Sequence, residues 1–114
     1  MIVTNGTKEL IDMYYGEPQM DTIRSIVVLD EGRPVGIAGL KLNGTSMLAF
    51  TEISDELRNH KSFKRIMVKA YRKWLEILPD TLPIFAICNP KIEGADKLLK
   101  HAGFEYFGDD LWQL

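Results

Sequence analysis

Glu52 is the carboxylate whose neighbours best suit it to move a proton. It stands in Phe50-Thr51-Glu52-Ile53, and the two-residue alternation of a strand puts it on the face opposite Thr51 and Ile53. A strand carboxylate lining a half-buried cleft can take a proton from an amine, directly or through one water. The same residue facing solvent has no chemistry, and the sequence leaves the two readings evenly matched. His60 and His101 both fall near predicted helix ends, where His101 suits the negative end of a helix. A local role therefore outweighs a catalytic one for each. Nothing beside Cys88 in the sequence activates its thiol, so it reads as a small buried apolar residue. Two histidines and one cysteine without ligand spacing lead to no expected metal site.

The elements that must position these groups follow from periodicity. Thr7 to Tyr15 reads as a short helix with Thr7 as its cap and Leu10, Ile11 and Tyr14 on one face, stopped by Gly16 and Pro18. Ile23 to Leu29, Val35 to Leu42 and Ser46 to Ile53 read as three antiparallel strands, joined through the turn Asp30-Glu31-Gly32-Arg33-Pro34, where Gly32 is free to take positive φ, and through Asn43-Gly44. Gly36 and Gly39 inside the second suggest a bulge or a close backbone approach. Ser62 to Leu78 is the clearest helix, with Phe63, Ile66, Met67, Ala70, Trp74, Ile77 and Leu78 as its apolar face. Its other side carries Lys64, Arg65, Lys69, Arg72 and Lys73, a pattern more often solvated than bound to a polyanion. Pro83 to Cys88 reads as a strand buried on both faces. Ile92 to Ala102 reads as a helix ended by Gly103 and Phe104 in a Schellman motif. Phe104 to Phe107 and Leu111 to Leu114 form a last hairpin. The expected core is Phe63, Ile66, Met67, Ala70, Trp74, Phe85, Ile87, Leu98 and Phe104.

Strands followed by strand–helix alternation predict an α/β (mixed α+β) fold, a mixed central sheet with helices on both faces. The 114 residues suit a single domain spanning 1–114. A formal net charge of −2 gives the whole chain no bulk attraction for nucleic acid, so a nucleic-acid partner is not expected. No run approaches the roughly 20 apolar residues of a membrane span, and no basic-then-apolar leader opens the chain. With a single cysteine there is no internal disulfide, and a cytoplasmic protein with no membrane partner is expected. A homodimer stays open.

The order of elements resembles the GNAT superfamily of acetyl-CoA-dependent N-acetyltransferases. The likeness lies in Val27-Val28-Leu29-Asp30-Glu31-Gly32-Arg33-Pro34-Val35-Gly36-Ile37-Ala38-Gly39, in Ile87-Cys88-Asn89, and in Leu98-Leu99-Lys100-His101-Ala102-Gly103-Phe104. A narrower likeness is to short acetyltransferase-like proteins of tailed bacteriophages, some of them internal to the virion, which would place the chain in a host cytoplasm or a virion.

The resemblance implies acetyl-CoA as cosubstrate and an amine, small-molecule or protein, as acceptor. It implies that Phe50, Thr51 and Ile53 hold the pantetheine arm through their backbone, with Glu52 as base and Asn89 at the cofactor. It implies that the parallel strands bearing Glu52 and Asn89 splay apart. The family's pyrophosphate loop, Arg/Gln-x-x-Gly-x-Gly/Ala, aligns with Arg58-Asn59-His60-Lys61-Ser62-Phe63. Arg58 matches, whereas Lys61 and Phe63 stand where small residues let backbone N–H groups approach phosphate. Lys61 and Lys64 would supply charge there instead, beside Ser62. Leu99 stands where many members place a tyrosine acid, which leaves Tyr106, Cys88 or water for that step. These departures define the rival reading: a structural or interaction protein that keeps the fold without the chemistry.

Overall fold

The computed structural model describes residues 1–78, 82–88 and 94–114. In chain order these form β1 (Ile2–Asn5), α1 (Lys8–Tyr15), β2 (Ile23–Asp30), β3 (Arg33–Asn43), β4 (Ser46–Ile53), α2 (Asp55–Arg58), α3 (Lys61–Ile77), β5 (Ile84–Ile87), α4 (Ala95–His101), β6 (Glu105–Gly108) and β7 (Leu111–Gln113). The seven strands make one mixed sheet in the order β1-β2-β3-β4-β5-β7-β6. Every neighbouring pair is antiparallel except β4 with β5.

Local chemistry accounts for most of these boundaries. Thr7 accepts a hydrogen bond from the Leu10 N–H and so caps α1, and Gly16 ends it in the left-handed region at φ 75°. Glu31 and Gly32 both take positive φ, 50° and 79°, between the paired Asp30 and Arg33. That is the two-residue turn whose twist matches a hairpin. At the end of α4, the Phe104 N–H reaches the Leu99 carbonyl at 2.9 Å and the Gly103 N–H reaches Lys100 at 3.1 Å. These two bonds are the Schellman pair the sequence predicts.

The sheet separates two cores. The larger lies under the long helix and gathers Ile26, Val28, Ala38, Leu40, Met67, Tyr71, Leu75, Ala86, Phe104 and Trp112. The smaller lies under α1 around Ile11, Val27 and Ile37. Gly36 and Gly39 answer to close approaches. A Cβ on Gly36 would stand 2.5 Å from the Leu57 side chain of α2, and one on Gly39 would collide with the Arg24 carbonyl. Leu57 is fully buried, so α2 is pinned onto β3.

Several expectations need correction. β1 and α2 were not anticipated, and α3 begins at Lys61, with His60 as its cap. Ile66 is 50% exposed and is not core, while Tyr71 and Leu75 are. The buried row of α3 runs through Met67, Tyr71 and Leu75 at four-residue spacing, and Ile66 lies about 100° around the helix from Met67. Tyr71 anchors that row because its hydroxyl donates a 2.7 Å hydrogen bond to the Gly39 carbonyl. Phe63, Ala70 and Trp74 are half-buried at the margin of the core, Phe85 is half-buried against Phe107 on the other face of β5, and Leu98 is half-buried on α4. Ile87 is 68% exposed, so β5 is buried on one face only. The small core under α1 draws mainly on β2 and β3, and among the described residues no helix covers the same side of β5. Ile92 and Asn89 lie outside the described residues.

Candidate functional site

The parallel pair at the centre of the sheet is short. Met47, Leu48 and Ala49 of β4 stand opposite Ile84, Phe85 and Ala86 of β5, and the ladder stops there. From Phe50 to Ile53 β4 stays paired with β3 alone, through Gly39, Ala38, Ile37 and Gly36. Beyond Ala86, β5 pairs with β7 through Ile87 and Leu111. The backbone groups of Phe50 to Ile53 that point away from β3 therefore have no strand partner among the described residues.

Alternation along β4 fixes what each face carries. Ala49 packs into the core under α3, while Phe50 packs against the core under α1. Glu52, opposite Ile37, shares the α1 side with Phe50. It is exposed rather than half-buried. Thr51 is exposed and Ile53 packs against the larger core.

Two tyrosines of the last turn of α1 stand close to Glu52: Tyr14, which the sequence places only on the apolar face of the helix, and Tyr15, which it does not single out. The Tyr15 hydroxyl is enclosed and finds no hydrogen-bond partner. Burial raises the Tyr15 pKa, and the Glu52 carboxylate, close enough to attract the phenol proton though not in good hydrogen-bond geometry, raises it further. The same two causes, in the same order, raise that of Tyr14. The two phenol rings pack edge to face at 5.2 Å.

The segment expected to hold pyrophosphate is one turn of helix followed by a capped helix start. Ser54 caps α2, and Arg58 at its end pairs loosely with Asp55 at 3.9 Å. His60 Nδ1 accepts from the Phe63 N–H at 3.2 Å and contacts the Ser62 hydroxyl at 3.3 Å. One donor at the N-terminus of α3 is thus already used, by a histidine whose Nδ1 has to be unprotonated to accept. Lys61 is exposed and Lys64 is half-buried, both on the first turn.

Tyr106 does not join this group. It stands opposite Trp112 across the β6–β7 ladder, with ring centres 5.6 Å apart, and Trp112 belongs to the core under α3. Tyr106 is therefore on the face of the sheet away from Glu52, three strands distant. Cys88 is buried, and its thiol pKa is pushed up by that burial and then by the Asp96 and Asp110 carboxylates. It is thus poorly suited to act as an acid or a nucleophile. His101 ends α4, as expected. A shallow depression lined by Ile87, Phe107, Gly108, Asp109 and Leu111 lies at the far end of β5. Among the described residues no three His, Cys, Asp or Glu side chains gather as metal ligands, and no described helix is long and apolar enough to cross a membrane. No protein-family profile, curated protein or solved structure matches the chain.

Proposed function

We propose that this chain is an acetyl-CoA-dependent N-acetyltransferase-type domain of GNAT build, acting on an amine at the face of β4 that carries Glu52. The observation that carries the reading is the early parting of the parallel β4–β5 pair. Backbone N–H and C=O groups left unpaired inside a sheet call for a partner, and an extended amide-bearing arm adds to such an edge as a strand would. Phe50, Thr51 and Ile53 would hold the pantetheine arm of acetyl-CoA, which supplies the activated acetyl group. The N–H groups of Thr51 and Ile53, which point to the β5 side as that of Met47 does, would polarise its carbonyl. Glu52 would take the proton that the amine loses as its nitrogen acquires the acetyl group. Arg58, Lys61 and Lys64 would meet the phosphates, with Ser62 beside them. Tyr106 faces away, so water protonates the leaving thiolate.

A second reading, a non-catalytic interaction protein with the same architecture, is favoured by the His60 cap. That cap occupies a donor which a pyrophosphate would use. Calorimetric titration with acetyl-CoA separates the two. The acetyltransferase reading expects binding that weakens as salt rises and that Lys61→Glu impairs more than Lys73→Glu. A protein that takes up no acetyl-CoA and acetylates no amine in a broad panel is the interaction protein.

A further inference from the structure

Where α1 ends above β4, several features favour a positive charge. The rings of Tyr15 and Phe50 present π faces, the Glu52 carboxylate lies beside the Tyr15 hydroxyl, and a helix C-terminus carries partial negative charge. The last turn of α1 contains no basic residue to answer it. The cation that fills the place comes from another element. Lys41 of β3 stands opposite Leu48 in the ladder. Its ammonium lies 5.0 Å from the centre of the Phe50 ring and 5.9 Å from that of Tyr15. No ion pair among the described residues includes it, so the rings rather than a carboxylate hold it. The enclosed Tyr15 hydroxyl has the Glu52 carboxylate as its near acceptor but closes no well-formed hydrogen bond with it, and its own lone pairs stay open to a donor.

We propose that the notch between the last turn of α1 and β4, walled by Tyr15 and Phe50 and ended by Glu52, binds an aliphatic primary ammonium ion, whose place Lys41 holds in the free protein. An incoming ammonium has three N–H donors. It can rest on the two rings while donating to the Tyr15 oxygen and the Glu52 carboxylate, two acceptors that Lys41 leaves unbonded. As the acceptor-amine subsite, the notch rests on the acetyltransferase reading. As a cation site it stands without it. The two readings meet at Glu52, which would both orient the amine and receive its proton.

The test is a titration with n-butylammonium chloride in the absence of acetyl-CoA, followed by the ring NMR signals of Tyr15 and Phe50. Sodium chloride of equal strength is the control. Lys41→Thr keeps a strand-forming residue and clears the rings. Removing the resident competitor should tighten binding about fivefold, the factor expected when a cation–π contact holds most copies closed. Phe50→Leu should weaken binding by a similar factor. Should Lys41→Thr disturb the strand, Lys41→Gln removes the charge at nearly constant length and should also tighten binding. Equal affinity in the wild type and both Lys41 variants, or ring signals that respond alike to both salts, would overturn the proposal. Because the sample contains no acetyl-CoA, a chain that fails to bind acetyl-CoA can still show the ammonium site. Failure here with acetyl-CoA binding intact removes the cation site, and the acceptor assignment with it, and leaves the acetyltransferase reading standing.

Discussion

Glu52 and Tyr15 reach the same place from different elements, and their neighbours assign them different duties. Glu52 is exposed on β4 and within reach of solvent. Tyr15 has its hydroxyl enclosed and its pKa raised, so it stays protonated and serves as a fixed polar wall. Glu52→Gln keeps the shape and removes the proposed base. In an acetyl-transfer assay it should lower kcat about 100-fold or more while calorimetric acetyl-CoA affinity stays nearly the same; full turnover in the variant would reassign the base. Tyr71 provides a second residue-scale expectation. Burial raises its pKa above the ordinary 10.0, although the adjacent Phe50 backbone acts the other way. An acid raised in the folded state means that the unfolded chain loses its proton first. The stabilisation from Tyr71, and that from Tyr15, is therefore complete below pH 10.0 and lost as pH climbs towards the folded values. Urea melts through the alkaline range should show that decline. Tyr71→Phe should flatten it, at a cost near neutral pH of about 1–3 kcal/mol for the stranded Gly39 carbonyl.

At the scale of elements, the start of α3 links stability to ligand binding. His60→Ala removes the acceptor that caps Phe63 and should cost about 0.5–2 kcal/mol by thermal or urea unfolding. The same change exposes an N–H group at the positive end of a helix. If phosphate docks there, acetyl-CoA should bind His60→Ala more tightly than the wild type even as the protein melts earlier. Weaker binding in parallel with weaker folding would place the phosphates elsewhere. Elements with their own caps were legible in the sequence: α1 between Thr7 and Gly16, the hairpin at Glu31-Gly32, and the Schellman end of α4. Those too short to show a period were not. α2 has four residues, and only Ser54 followed by two acids marks it; β1 also has four and no alternation. The side of the sheet on which Glu52 lies could be read from alternation, whereas its neighbours could not. Tyr15 and Lys41 are 26 positions apart and meet only because α1 folds back across the sheet. Tyr106 was misplaced for a related reason. No sequence period says that β7 inserts between β5 and β6, or that the β6–β7 register slips between Tyr106 and Gly108.

For the whole molecule, the three-residue β4–β5 ladder is also the one parallel step in the sheet. On one side, β1 to β4 pair with strands that are neighbours in the chain, with two-residue turns joining β2, β3 and β4 and α1 lying between β1 and β2. On the other, β5 pairs with β7, and β7 with β6. The parallel step between them brings together residues more than thirty positions apart, such as Met47 and Ile84. Contacts close in sequence cost the least loop entropy, so the meander should form first and the C-terminal strands should dock onto it afterwards. Folding rates would then respond unequally to two buried changes. Ile37→Val, in the meander, should slow folding and leave unfolding almost untouched. Trp112→Phe, in β7, should speed unfolding with little effect on the folding limb. Stopped-flow chevrons of the two variants give the answer directly, and the opposite pattern would mean that the chain nucleates around its C-terminal strands.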